Sequence, residues 1–397
     1  MSTSRTIAWI VWIIASIFYA YQYILRVMPN IMMNDIMQQF NIDIATFGQF
    51  AGVYYIGYSL MHLPIGIMLD RYGPKKVMPI CMLLTVVGML PIIFAKLWIY
   101  PIIGRVLIGI GSSAAILGAF KVIRLTFKEE KFTRMLSFSV TIGLIGAIYG
   151  GEPVNYMVGQ LGYKTVVAIL CGMGIALSIV TYFMVPSITR QEKTPVFANI
   201  WKVFCNPKVM AICFSAGLMV GPLEGFADVW GTEFLKKVYD FDNVISASLP
   251  SAIFIGMCFG APVLSLLAEK SKSYLGTIIA AGIIMAGSFF ALITGDIKVT
   301  AMSVMFVIVG VCSAYQIIAI YKASTYVSES AVGLTTAIAN MIIMIFGYAF
   351  HSAIGWTIEY TGSFLYGIMV IPIALTVGVI GFFMIVMQER MAAKAWV

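Results

Sequence analysis

The chain has 397 residues, 61% of them hydrophobic and only 11% charged. Soluble domains carry about 25% charged residues, so a soluble enzyme or binding module is excluded and an integral membrane protein is indicated. The net charge of +8 does not point to nucleic acid, because the basic residues are spread over short loops with no basic helix or arm.

Arg5 precedes an apolar run that is too long for a signal-peptide core and lacks a small-residue cleavage pattern, so it reads as a retained first helix. Runs of about 20 apolar residues, the length that crosses a bilayer, lie near 7–28, 46–69, 77–95, 98–121, 135–158 and 164–186. A polar stretch over 187–207 follows, with Arg190, Glu192, Lys193, Pro195 and Lys202. Six more runs lie near 208–235, 245–267, 274–294, 299–321, 333–356 and 363–387. The expected architecture is an all-α membrane protein of twelve spans. A six-helix bundle over 1–186 and another over 208–397 are joined by a cytoplasmic linker over 187–207. The six cysteines show no C-x-x-C or histidine spacing, so neither a disulfide nor a metal is implied, and no cofactor is expected.

Lys and Arg set the orientation. With the N-terminus inside, eighteen of them fall in cytoplasmic segments and five on the opposite face, while Arg26 and Arg105 lie inside apolar runs. That bias puts both termini in the cytoplasm.

Between the second and third runs stands Gly66-Ile-Met-Leu-Asp-Arg-Tyr-Gly-Pro-Lys-Lys-Val77. Gly73-Pro74 breaks the helix and reverses the chain. Gly66 is expected to let a neighbouring helix approach closely. An ordinary positive-inside loop explains the charges but not the spacing of the two glycines about Asp70-Arg71. The pattern G-x-x-x-D-R-x-G-x-[KR]-[KR] resembles the signature between helices 2 and 3 of the major facilitator superfamily. A second half echoes the first at an offset of about two hundred residues. Ser265–Lys272 stands for Gly66–Gly73, with Glu269-Lys270 in place of Asp70-Arg71. Gly310 and Cys312 with Tyr321-Lys322 match Gly109 and Gly111 with Phe120-Lys121, and Thr361-Gly362 matches Leu161-Gly162. The resemblance covers the whole chain. It implies parallel six-helix halves, a substrate site between them near the midplane, and alternating access. It also implies that Gly66, Asp70, Arg71, Gly73 and Lys75 form a conformational latch, with Asp70 at the start of helix 11, where a carboxylate suits the positive end of the helix dipole.

Ionisable groups in apolar spans usually face a water-filled path. Tyr19, Gln22, Tyr23 and Arg26 share one face of helix 1. They read either as cavity lining or as an interfacial belt with a snorkelling arginine. Arg105 opens R-x-x-x-G-x-G in helix 4, which resembles the helix-4 motif of the superfamily. Gly109 and Ser112 on its face are expected to leave it room, and Gly111, Ala115 and Gly118 form a separate packing face. An arginine on helix 1 together with one on helix 4 also resembles the anion:cation symporters, carriers of sugar acids and other organic anions. Those carriers often have an Asp directly before the first arginine and a Glu seven residues after the second. Here these positions are Leu25 and Ser112, so the coupling mechanism of that family does not transfer.

Other acids are candidates for proton coupling: Glu152, where Gly150-Gly151 and Pro153 loosen helix 5, and Glu224 and Asp228, one turn apart on helix 7 with Gly217 and Gly221. Glu152 and Glu224 are expected either to pair with Arg26 or Arg105 or to be protonated. Asp228 and Glu233 fit a solvated mouth. His62 reads as a core histidine with a satisfied nitrogen. His351 shares a face with Asn340, Met344 and Gly347. Tyr315, Gln316 and Asn340 are candidate substrate contacts, and Lys121 and Lys322 read as helix-end anchors.

No nucleophile–base pair or ligand cluster lies on one helix face, so catalysis is not indicated. The loops are too short to hold a sensor domain. The order Gly150-Gly-Glu-Pro153 departs from the Gly-Pro…Gly-Gly pattern of drug antiporters. The function expected is proton-coupled uptake of a small organic anion across a bacterial inner membrane by a monomer. The alternatives are a carrier of amino acids, short peptides or other zwitterionic or neutral solutes, and an efflux pump. The orientation is testable: reporter domains fused at the C-terminus and inserted after Arg190 should both read as cytoplasmic, and an external reading of either overturns the topology.

Overall fold

The structure is a computed structural model that describes residues 5–128, 131–186, 197–328 and 331–394. Twelve of its helices are long and apolar enough to cross a membrane, from Thr6–Ile31 to Phe364–Met391. The chain divides into two compact units, Met1–Lys193 and Thr194–Val397. The expected linker lies partly outside the described residues, and within it Phe197–Phe204 forms a short helix.

Within the first unit, the fourth span (Ile99–Thr126) packs on the second (Ile44–Tyr72) and third (Pro74–Phe94), while the first span packs on the fifth (Arg134–Leu161). The third span also packs on the sixth (Tyr163–Met184). The second unit repeats these pairings with the tenth, eighth, ninth, seventh, eleventh and twelfth spans.

The repeat is written in glycines. A Cβ on Gly57 would collide with the Val106 carbonyl, and one on Gly109 with that of Tyr54. A Cβ on Gly256 would likewise strike the carbonyl of Val307, and one on Gly310 that of Ile253. Lipid supplies no hydrophobic drive between helices, so such backbone contact is how they gain van der Waals attraction. Gly109 therefore makes room for the second span rather than for Arg105. Gly111 and Gly118 do form the expected packing face, against Cys81 and Met78 of the third span. At Gly66 the close approach is absent among the described residues: an added Cβ would meet only a Leu117 methyl, at 3.9 Å.

The ends of the spans also correspond. Gly73 (φ +78°) separates the second span from the third, and Lys272 (φ +51°) does the same between the eighth and ninth. Gly162 (φ +76°) and Gly362 (φ +65°) close the fifth and eleventh spans. Asp43 caps the second span by accepting from the Thr46 N–H at 2.6 Å, a bond that holds its carboxyl below the usual range.

Four spans are not the continuous α-helices expected. The fifth stops at Tyr149 and restarts at Glu152, the eighth stops at Ser248 and restarts at Ser251, and the tenth is interrupted at Ala314. The seventh, Pro207–Val238, runs as an α-helix to Gly217, then as a π-helix over Gly221–Trp230, then as an α-helix again. A short helix, Met33–Phe40, also lies between the first and second spans.

Gly57→Val and Gly256→Val should each destabilise the protein by about 3 kcal/mol, the upper end of overpacking costs, because a backbone carbonyl cannot rotate away. Gly66→Ala should change stability by less than about 0.5 kcal/mol. Thermal unfolding in detergent checks both expectations.

Candidate substrate site

Each half carries its own cluster of buried polar groups. In the first half it begins with Pro29, inside the first span. Proline has no N–H, so the carbonyl of Leu25 loses its helical donor. Arg105, 1% exposed, replaces it: Nη1 donates to the Leu25 carbonyl at 2.7 Å and Nη2 to that of Arg26 at 2.9 Å. The Arg105 guanidinium lies 4.8 Å from the Tyr54 ring centre.

Arg26 sits beside it, its guanidinium 5.0 Å from the Tyr23 ring centre and 5.3 Å from that of Tyr55. Gln22 donates to the Tyr54 hydroxyl at 2.6 Å, and the Tyr19 and Tyr23 rings are 5.2 Å apart. Tyr19, Gln22, Tyr23 and Arg26 are all buried, so the snorkelling interfacial arginine is set aside. Sequence reasoning passed over the second span's share, Phe50, Tyr54, Tyr55 and Tyr58. Its signal was available: Phe50, Tyr54, Tyr58 and His62 recur every four residues, one helical face. His62 Nδ1 has no hydrogen-bond partner among the described residues, contrary to the satisfied histidine expected.

The two arginines lie side by side, but not as equals. Two of the five Arg105 N–H groups, one on each terminal nitrogen, are taken by helix backbone. Arg105 therefore holds the first span in place. The pairing of Glu152 with either arginine is also not formed among the described residues. Glu152 is half-buried and accepts from Asn155, on its own helix, at 3.0 Å.

In the second half, Glu224 and Asp228 lie in the π-helical segment, each 1% exposed. The expected mouth is not there, for Asp228 is buried and so is Glu233, whose Oε1 is 3.0 Å from Lys236 Nζ. Gly217 and Gly221 receive Phe346 and Phe350 of the eleventh span. Tyr315, expected to line a path, instead donates its hydroxyl to the Ala216 carbonyl at 2.6 Å, where the seventh span breaks. Gln316 and His351 are buried, and Asn340 is half-buried on the eleventh span.

Around the Gly66–Val77 signature, Asp70 Oδ1 meets Lys121 Nζ at 2.7 Å, so Lys121 is an ion-pair partner as well as an anchor. Arg71 lies over the Tyr72 ring and Lys75 over that of Tyr182. In the second half Lys322 pairs with Glu389 at 2.9 Å rather than with Glu269, the counterpart of Asp70.

Two repeated six-span units, each with buried ionisable side chains and broken helices, define a membrane transport protein rather than an enzyme. The chain belongs to the Major Facilitator Superfamily, which it matches over residues 11–350. It is 22% identical to the uncharacterized transporter YybO of Bacillus subtilis, over 90% of this chain and 89% of that protein. Its fold is similar to that of a bacterial homologue of the human lysosomal transporter Spinster, in an inward-facing and occupied conformation (TM-score 0.75, 15% identity, 94% and 96% of the two chains). It is also similar to the nucleoside transporter NupG, solved as a D323A mutant (TM-score 0.77, 13% identity, 95% and 99%).

The Asp70 side chain is 56% exposed. Solvent screens such a pair, so Asp70→Asn should cost at most about 1 kcal/mol of stability, read by thermal unfolding.

Proposed function

We propose that this transporter takes up a small organic anion, a carboxylate or sugar-acid-like metabolite, and couples its movement to protons. The observation that carries this reading is Arg26, a buried guanidinium between two tyrosine rings and the one charged residue of the span Thr6–Ile31. Its planar fork suits a carboxylate. Tyr19, Gln22 and Tyr23 supply hydroxyl and amide groups beside it, and Gln316 and Asn340 are the contacts proposed from the second half. Arg105 acts as a positioning residue, because it fixes the carbonyl of Arg26 itself.

Bringing one negative charge into a cell against 100 mV costs about 2.3 kcal/mol, which a co-transported proton offsets. Glu224 and Asp228 are better placed for it than Glu152, since both are almost fully buried and lie on a π-helical segment, a feature frequent at functional sites. Asp70 is proposed as the latch. Because Asp70→Asn leaves folding nearly unchanged, a variant that transports at the normal rate removes this role.

A second reading, a zwitterionic or neutral solute or outward transport, is favoured by the engagement of Arg105 with backbone, which leaves less cationic fork for an anion. Reconstituted protein separates the readings. Arg26→Lys should weaken binding of the anion about ten- to a hundredfold, the loss of a charge-assisted hydrogen bond of about 1.5–3 kcal/mol. Arg105→Lys should lower the unfolding temperature as well as the affinity. Uptake should rise as the external solution is acidified, and the rise should vanish in Glu224→Gln or Asp228→Asn. Competition by amino acids or nucleosides but not by carboxylates rejects the anion reading.

A further inference from the structure

We propose that one end of the C-terminal half binds the phosphate of an anionic phospholipid. A cavity of about 340 Å³ opens there, between the start of the ninth span and the end of the twelfth. Its wall carries three cations, Lys272, Lys322 and Arg390, and one acid, Glu389. Glu389 is already held, by Lys322 at 2.9 Å and by the Tyr326 hydroxyl. No described carboxylate is within ion-pair distance of Lys272 or Arg390. The cavity is thus lined by two cations in excess of its acid, and an anion is the ligand that balances them.

The ligand's chemistry follows from the wall. Lys272 and Ser273 immediately precede the ninth span, Tyr274–Thr294, whose first two residues also line the cavity, while the Gly276 N–H is taken by the Ser273 hydroxyl. Phosphate oxygens accept from the N–H groups at a helix start as well as from lysine and arginine. Lys272 also occupies a left-handed turn position (φ +51°), whose counterpart in the first half is Gly73. A side chain is strained there where glycine is not, so the cation is kept against a backbone preference. At the corresponding end of the first half, glycine takes the place of Lys272 and Lys121 is matched by Asp70. That end is basic as well, through Arg71, Lys75 and Lys76, so what is particular to the second half is a cation, Lys272, at the turn itself.

The source of the phosphate follows from the rim. Tyr274 and Tyr321 lie side by side, 5.1 Å between ring centres, and aromatic rings of this kind settle at headgroup level. Next to the lining residues, Tyr321 is 51% exposed, Met387 59% and Met391 60%. Acyl chains have apolar surface to lie along just where the phosphate is held, which a soluble phosphate would not need.

The full chain, purified in detergent, is offered phosphatidylglycerol and phosphatidylcholine, and bound lipid is counted by native mass spectrometry beside thermal unfolding. Wild type should retain phosphatidylglycerol in preference and be stabilised by it. The double variant Lys272→Gly, Arg390→Gln should lose about tenfold or more of that binding, as expected on removing charge-assisted bonds. Its fold is protected because glycine suits the left-handed turn, and its unfolding temperature without lipid reports this directly. Arg390→Lys, which keeps the charge, should retain the preference. Wild-type retention of phosphatidylglycerol by a folded double variant overturns the site. Stabilisation by glycerol phosphate with none by phosphatidylglycerol overturns the lipid as its source.

Discussion

A spanning helix that contains a proline must find another donor for the carbonyl it orphans, since lipid offers none. For Leu25 that donor is Arg105. The bond ties the fourth span to the first and places the Arg105 guanidinium over Tyr54, whose hydroxyl then receives Gln22. Arg26, one residue on, is thereby fixed between Tyr23 and Tyr55. In the second half the corresponding spans are joined by Tyr315 of the tenth, which donates to Ala216 of the seventh, a carbonyl that no proline orphans and that also accepts from the Met219 N–H. In both halves the fourth helix bonds to the backbone of the first, with a different residue each time.

The repeat is strict in backbone and loose in chemistry. Gly57 and Gly109 find their counterparts in Gly256 and Gly310, and the left-handed turns recur at matching places. The ion pairs do not: Lys121 reaches back to the second span and Lys322 to the twelfth. Nor do the breaks, because the fifth span is split at Gly150-Gly151 while the eleventh runs unbroken for 30 residues. Packing is shared by the halves, and polar function is divided between them.

The twelve spans and the turn at Gly73-Pro74 were legible because apolar length and helix-breaking residues act locally. Arg26 and Arg105 stood out for the same reason, each being a charge in an apolar run. What Arg105 touches was not legible, since it depends on the carbonyl of Leu25, orphaned by Pro29 and eighty residues away in sequence but adjacent in space. Tyr54 and Tyr58 are easily passed over, as tyrosine counts with the apolar residues that fill every span, and only the four-residue spacing from Phe50 to His62 marks their face. The π-helical turn at Gly221–Trp230 was also out of reach. Gly221-Pro222 announces a disturbance, but nothing in the local sequence specifies that the N–H groups pair five residues back.

The glycine contacts carry a mechanical consequence. Where one helix backbone rests directly on another, no side chain lies between them that could change rotamer and absorb a displacement. The second and fourth spans, and likewise the eighth and tenth near Gly256 and Gly310, form struts of high stiffness. Compliance is then concentrated where the α-helical register is already interrupted, at Gly150-Gly151 in the fifth span, Leu218–Val220 in the seventh, Leu249-Pro250 in the eighth and Ala314 in the tenth. Amide exchange resolved along the chain would see this as slow stretches around the glycine contacts and short fast ones at these breaks, and uniform exchange through all these spans would deny the division.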